Sequence, residues 1–291
     1  MAQRVKKRFY KKHRSKKKHP LRKLLLICLL LMSALTVWTF LILYDLSIES
    51  IEREPVSQTS GEYRPSVGEP PYRVAIDAGH GGADPGARGV IEEKEMTAVT
   101  ARELWYWLEQ DPNYIPLKTR ETAEETATPI QRAEAASAQE PQLFLSIHGN
   151  SAPDGAQASG FECYPTVPGR TWHTESLYFA RLLADGMQTL GASLRGYGGV
   201  RYLYYLENDQ KQLVEITHAE VRTERSFTVL EDIDCPAVLV EQCFVTNTED
   251  VERFGSEQGC KDVARVYYEA ICSYFGTEPL EVLVLMKSAF E

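Results

Sequence analysis

Val74-Ala75-Ile76-Asp77-Ala78-Gly79-His80, Leu143-Phe144-Leu145-Ser146-Ile147-His148 and Ala237-Val238-Leu239-Val240-Glu241 decide how this chain is read. Each is a short apolar run that ends on a side chain able to bind a metal or move a proton. Runs of this kind read as buried strands, and the helical segments between them point to a parallel sheet. Ligands of such sheets bind at the carboxyl ends of the strands. Two imidazoles and a carboxylate from distant parts of the sequence are therefore expected at one rim. That is the composition of a catalytic zinc site with a nearby base.

The segments between the runs carry the helical period. Met96, Val99, Leu104, Trp107 and Leu108 share one face over residues 96–110. Phe179, Leu182, Leu183, Gly186, Met187 and Leu190 give a second face, and Val263, Val266, Tyr267, Ala270 and Tyr274 a third, stopped by Gly276. Strands alternating with helices mean an α/β domain, a mostly parallel central sheet flanked by helices in three layers. Residues 72–276 are expected to form it. The tail, residues 277–291, has an apolar centre at Val282-Leu283-Val284-Leu285-Met286 and receives no role.

Charge is divided sharply along the 291 residues. Residues 1–23 hold twelve Lys/Arg and no Asp/Glu, which leaves 20 basic against 41 acidic residues beyond them. A basic arm taken alone could bind nucleic acid. Here it leads straight into LLLICLLLMSALTVWTFLILY, 21 uncharged residues at 24–44, long enough to cross a bilayer as a helix. Nucleic acid is therefore not expected as a partner. Trp38 and Tyr44 suit the far interface, and Arg22 and Lys23 the near one. The Lys/Arg excess places the N-terminus in the cytoplasm and everything after Asp45 outside, tied to the membrane by a single span. A cleaved signal peptide is the rival, but Ile42-Leu43-Tyr44-Asp45-Leu46 offers no small-residue cleavage pattern. Residues 45–71, with Pro55, Pro65, Pro70 and Pro71, read as a linker.

Four histidines can serve an outside site: His80, His148, His173 and His218. His80 and His148 each end a strand and are each followed by glycine, which lets the backbone turn and leaves the ring uncrowded. Glu92, Glu93 and Glu95 open the helix after the Gly81-to-Gly89 loop. Acidic residues there are ordinary partners of a helix N-terminus, yet the loop is short enough to bring one of them back beside His80. No HExxH is present, and no Ser-His-Asp or Cys-His arrangement competes. Cys243, close to Glu241, is expected to be buried by strand alternation.

Asp77-Ala78-Gly79-His80-Gly81-Gly82 with Asp84-Pro85-Gly86-Ala87, then Glu93-Lys94-Glu95, Thr119-Arg120, Ser146-Ile147-His148-Gly149-Asn150 and Pro236-Ala237-Val238-Leu239-Val240-Glu241-Gln242-Cys243-Phe244-Val245-Thr246-Asn247, resemble the zinc-dependent N-acetylmuramoyl-L-alanine amidases of the type 3 class. The blocks occur in that family's order across most of residues 72–276. The resemblance implies zinc held by His80, Glu93 and His148, with Glu241 as the catalytic carboxylate. It implies a bacterial cell-wall hydrolase that cuts peptidoglycan between N-acetylmuramic acid and the first L-alanine of the stem peptide. A rival from another class is a non-catalytic amidase-like module that grips muropeptides or regulates a partner.

Two departures from the family pattern stand out. Cys243 occupies a position where the family more often has glycine. Between Arg201 and Arg225 a charged stretch is inserted, with Glu207, Glu215, His218 and Glu220. Leu213, Ile216 and Ala219 allow a short helix there. The insertion reads either as a solvated excursion or as a lid over the zinc, moved by an activator protein acting on residues 203–224. The remaining extracytoplasmic cysteines, Cys163, Cys235, Cys243, Cys260 and Cys272, read as small buried hydrophobes, with at most two bridges among them.

Overall fold

The computed structural model describes residues 64–281, apart from 154, 155, 208 and 209, together with residues 32, 36 and 39. The chain divides into two units, Met1–Glu54 and Pro55–Glu291, and all elements below belong to the second. The basic arm, nearly all of the apolar run 24–44, most of the linker and the apolar tail lie outside the described residues. Among the described residues no helix is long and apolar enough to cross a membrane.

Among the described residues of this unit, these strands and helices follow in order: β1 Tyr72–Ala78, α1 Glu93–Gln110, β2 Tyr114–Lys118, α2 Pro129–Ser137, β3 Leu143–Asn150, β4 Glu162–Pro165, α3 His173–Thr189, β5 Arg201–Tyr205, β6 Lys211–Glu215, α4 Thr228–Glu231, β7 Ala237–Phe244 and α5 Glu257–Phe275. A short turn, Thr248–Asp250, and a wide turn, Val251–Gly255, join β7 to α5. The helix ends follow local chemistry. Thr128 and Gln131 form a reciprocal capping box before Pro129 at the start of α2. Ser256 caps α5 by accepting from the Gly259 N–H at 3.1 Å, and Gly276, at φ 75°, closes it in the left-handed region that glycine tolerates.

The main sheet has the order β2-β1-β3-β7-β4. β2, β1, β3 and β7 pair in parallel, as expected. β4 runs antiparallel to β7 at one edge, so the sheet is mixed. Alternation along the strands sorts side chains to two faces. Val74, Ile76, Leu143, Leu145, Val238 and Val240 pack with Leu104, Leu108, Phe179, Leu183, Val263 and Tyr267 from α1, α3 and α5. Ala75, Phe144, Ala237 and Leu239 face the other way, onto Ala136 of α2 and Val229 and Leu230 of α4. Each fully buried Leu, Phe or Val stabilises the fold by about 1.5–3 kcal/mol.

The insertion is not a helix. β5 and β6 form a separate two-stranded antiparallel hairpin with Arg201 opposite Glu215, Leu203 opposite Leu213 and Tyr205 opposite Lys211. Only the single turn Ile216–His218 is helical, of the 3-10 type. Leu213 is 49% exposed while its neighbour Val214 is buried, which is the period of a strand. The five described cysteines, Cys163, Cys235, Cys243, Cys260 and Cys272, are buried free thiols, so no bridge forms among them.

Candidate metal centre

His80, Glu93 and His148 meet at the carboxyl ends of β1 and β3, one ligand atom from each lying within 4.8 Å of the others. Glu93 Oε1 is 3.1 Å from His80 Nε2 and 2.9 Å from His148 Nδ1. The two rings cross at 80° with centres 4.9 Å apart. Among the described residues this is the one cluster of three such groups able to hold a metal ion.

Glu93 is the acidic residue of the helix start that turns inward. It is buried, Oε2 accepting from the Ala87 N–H at 2.8 Å and Oε1 from the Gly149 N–H at 2.9 Å. Glu92 instead faces Arg88 and Lys94, and Glu95 is exposed. Burial opposes ionisation of Glu93, but hydrogen bonds and charge from His148 and His80 outweigh it and hold the carboxyl well below the usual range. His80 sits at φ 61°, in the left-handed region, and its Nδ1 is 2.8 Å from Asp84 Oδ2. Burial opposes its protonation, yet Glu93 and Asp84 together raise its pKa.

Two glycines make the cluster possible. A Cβ on Gly79 would lie 2.5 Å from His148 Cε1. One on Gly86, whose φ is +66°, would lie 2.5 Å from Glu93 Oε2 and 2.6 Å from His80 Cδ2. Below the cluster Asp77 is fully buried and accepts from Thr119 Oγ1 and Ser146 Oγ, each at 2.7 Å, and from Arg132 of α2. Arg120 donates to the Ala78 carbonyl at 2.8 Å. These bonds hold the tips of β1 and β3 under the two histidines.

Glu241 lies in register with His148 on β3 and with Glu162 on β4. Its Oε2 is enclosed and has no hydrogen-bond partner among the described residues. Burial first, then the negative charges of Glu93 and Glu162, push its carboxyl well above the ordinary value, and Lys211 opposes them. A carboxylate with one oxygen unengaged, beside a convergent set of two imidazoles and a second carboxylate, can accept and return a proton next to a bound cation.

The family description "N-acetylmuramoyl-L-alanine amidase" (Amidase_3) matches residues 74–273. This chain belongs to that family. It is 27% identical over 70% of its length to the N-acetylmuramoyl-L-alanine amidase CwlM of Bacillus licheniformis, and covers 68% of that protein. It is 26% identical over 80% of its length to the N-acetylmuramoyl-L-alanine amidase AmiC of Escherichia coli O6:H1, and covers 60% of it. The solved catalytic domain of CwlV, an N-acetylmuramoyl-L-alanine amidase of Bacillus (Paenibacillus) polymyxa, superposes with a TM-score of 0.56 at 25% identity, over 71% of this chain and 99% of that one.

The other expected candidates of this amidase stand elsewhere. His173 Nδ1 donates to the Thr166 carbonyl at 2.8 Å, and His218 is exposed beside Thr217. Glu215 accepts from Arg201 Nε and from the Tyr197 N–H, each at 2.8 Å. None of Glu207, Glu215, His218 and Glu220 joins the cluster, so the structure gives the insertion no carboxylate over the metal position. Cys243 is buried, its Sγ 3.6 Å from Met96 Sδ.

Sequence reasoning assigned no role to Asp84 or Glu162. Asp84 was legible as a carboxylate four residues after a candidate ligand histidine. Glu162 gave no signal, because its importance comes from lying opposite Glu241 across an edge pair.

Proposed function

We propose that this chain is a zinc-dependent N-acetylmuramoyl-L-alanine amidase of the cell wall. It hydrolyses the amide between the lactyl group of N-acetylmuramic acid and the first L-alanine of the stem peptide. The observation that carries this reading is the convergence of His80, Glu93 and His148 beside the unengaged Oε2 of Glu241. Two imidazole nitrogens and one carboxylate oxygen are a donor set that catalytic zinc takes with a position left open. Zinc, when bound, supplies Lewis acidity toward the amide carbonyl and toward water.

The rest of the chemistry belongs to the chain. Asp84 fixes the ring of His80 so that Nε2 faces inward. The Ala87 and Gly149 N–H groups aim both oxygens of Glu93. Glu241 Oε2 takes the proton of the attacking water and returns it to the departing alanyl nitrogen. Burial and the neighbouring carboxylates raise its pKa, so it holds a proton more readily than an ordinary carboxylate does. A binding-only module would need no base, and the four groups together favour the enzyme.

Residues 24–44 form, in this reading, a membrane span with residues 1–23 on the cytoplasmic side and the catalytic unit outside. Mass spectrometry of peptidoglycan treated with the purified protein tests the reaction. Intact stem peptides and free muramic lactyl ends support it, whereas cuts within the stem peptide identify a peptidase instead. Protease added to wall-stripped cells tests the topology: digestion of the basic arm with the catalytic unit protected means the opposite orientation.

A further inference from the structure

The last described residues run back along the final helix. The Thr277 N–H donates to the Cys272 carbonyl at 2.9 Å. The Leu280 N–H donates to Tyr268 Oη at 2.8 Å, and Arg265 Nη1 donates to the Leu280 carbonyl at 2.7 Å. The partners fall from 272 to 268 to 265, so the chain reverses after Gly276 and heads toward the N-terminal end of α5. It does so beside α1. The Trp107 ring stacks on Tyr268 with centres 5.5 Å apart, and the Arg265 guanidinium lies over both rings, 4.4 and 5.2 Å from their centres. Leu280 is partly buried against the core on this line, while Glu281 is exposed.

Farther along the same two helices lies an apolar cavity of about 380 Å³, lined chiefly by Ile91, Met96, Val99, Gly255 and Cys260. α1 and α5 run side by side in the same direction: Cys260 Sγ is 3.8 Å from the Met96 carbonyl oxygen, and Trp107 stacks on Tyr268. Tyr268 and Cys260 are separated by about 12 Å of helix at 1.5 Å per residue. An extended chain covers that in about four residues at ~3.3 Å each. Four positions beyond Leu280 is Val284, the centre of the apolar run Val282-Leu283-Val284-Leu285-Met286. Strand alternation puts Val282, Val284 and Met286 on the side of Leu280. Lys287 comes next, and the far end of the cavity carries Glu95, which is exposed and has no ion pair among the described residues.

We propose that residues 282–286 seat in this groove as an extended strap, held by their own apolar side chains in the cavity and by Lys287 beside Glu95. The occupant is this chain itself, because the described residues carry the run toward the cavity in the right direction and over the right length. Five consecutive apolar residues read as a buried segment, and the cavity gives them apolar surface within reach. The strap ends against Ile91 and Glu95, on either side of Glu93 in sequence. It therefore braces the first turn of α1, the turn that presents Glu93 to His80 and His148. The inference rests on packing and stands whether or not the chain cuts peptidoglycan.

Cysteine pairs in the full-length protein test this. Val99→Cys combined with Val284→Cys should form a disulfide within one chain under mild oxidation, identified as a linked peptide by mass spectrometry. A link from Val284→Cys to Cys260, buried at the cavity, supports the strap equally. Ile130→Cys, at an exposed position of α2 across the sheet, should form none with Val284→Cys. Val284→Asp alone should lower the thermal transition of the catalytic unit by about 4–8 °C, the effect of losing one buried aliphatic side chain. Ser288→Asp, beyond the run, should leave it in place. Absence of the link, equal linking at Ile130→Cys, or an unchanged transition in Val284→Asp overturns the inference. A disulfide between chains on a non-reducing gel also overturns it, and assigns the cavity to a second copy.

Discussion

Asp84 Oδ2 lies 2.8 Å from His80 Nδ1, and the opposite ring nitrogen faces Glu93 at 3.1 Å. An ionised carboxylate accepts the Nδ1 proton, so the inward nitrogen keeps its lone pair for a metal. Asp84 is itself held by accepting from the Gly86 N–H at 3.0 Å. Asp84→Ala should weaken zinc binding by about 10–100-fold while the protein stays folded. Competition with a chromogenic chelator measures this, and wild-type affinity in the variant would remove the orienting role.

Glu241→Gln separates binding from chemistry. The amide keeps the size of the side chain and cannot take a proton. Zinc content should be unchanged, and turnover of muropeptides should fall by about 10²-fold or more. His80→Ala and His148→Ala should instead lose metal and activity together, as measured by elemental analysis. Near-normal turnover in Glu241→Gln would mean that another group carries the proton.

Asp77 and Arg132 form a buried ion pair beneath the cluster. Burial alone would raise the Asp77 carboxyl; the charge of Arg132 and the bonds from Thr119 and Ser146, with a contribution from His148, outweigh it and lower the pKa. A depressed folded-state pKa gives stability that is present above the unfolded value of about 3.9 and lost as pH falls through the lower folded one. Asp77→Asn leaves Arg132 buried without its partner and should cost about 3–5 kcal/mol in urea denaturation near neutral pH. The difference between wild type and variant should shrink as the solution is acidified below about pH 4. A constant difference down to pH 2 would contradict the sign.

Much of this architecture is written locally. The runs ending at His80, His148 and Glu241 could be read because fully buried parallel strands are apolar throughout, and the polar residue at the tip breaks the run where the site begins. Glu93 could be separated from Glu92 and Glu95 only through the family resemblance, because all three suit a helix start. Leu213 and Ile216 are three apart, a spacing that allows a short helix and that a polar segment satisfies by chance. What makes it a strand is pairing with Arg201 to Tyr205, whose ladder leaves no mark on residues 211–215 themselves. The Asp77–Arg132 pair spans 55 positions, and the β4 edge is four residues long. Neither has a periodicity to detect.

Gly86 supplies the sharpest test of how the loop serves the cluster. Its φ of +66° lies where a side chain is strained, and a Cβ there would meet Glu93 Oε2 at 2.5 Å and His80 Cδ2 at 2.6 Å. Both contacts are shorter than real Cβ atoms allow, and both are to proposed ligands. Glu93 cannot retreat without losing the N–H bonds from Ala87 and Gly149. His80 cannot swing away without leaving Asp84. Gly86→Ala should therefore displace the ligands and not the core, because the loop lies outside the packed faces of the sheet. The expected result is a thermal transition shifted by a few degrees at most, with zinc content reduced severalfold and activity reduced with it. Zinc and activity at wild-type levels would show that the loop yields around the methyl group, and that glycine serves the turn alone.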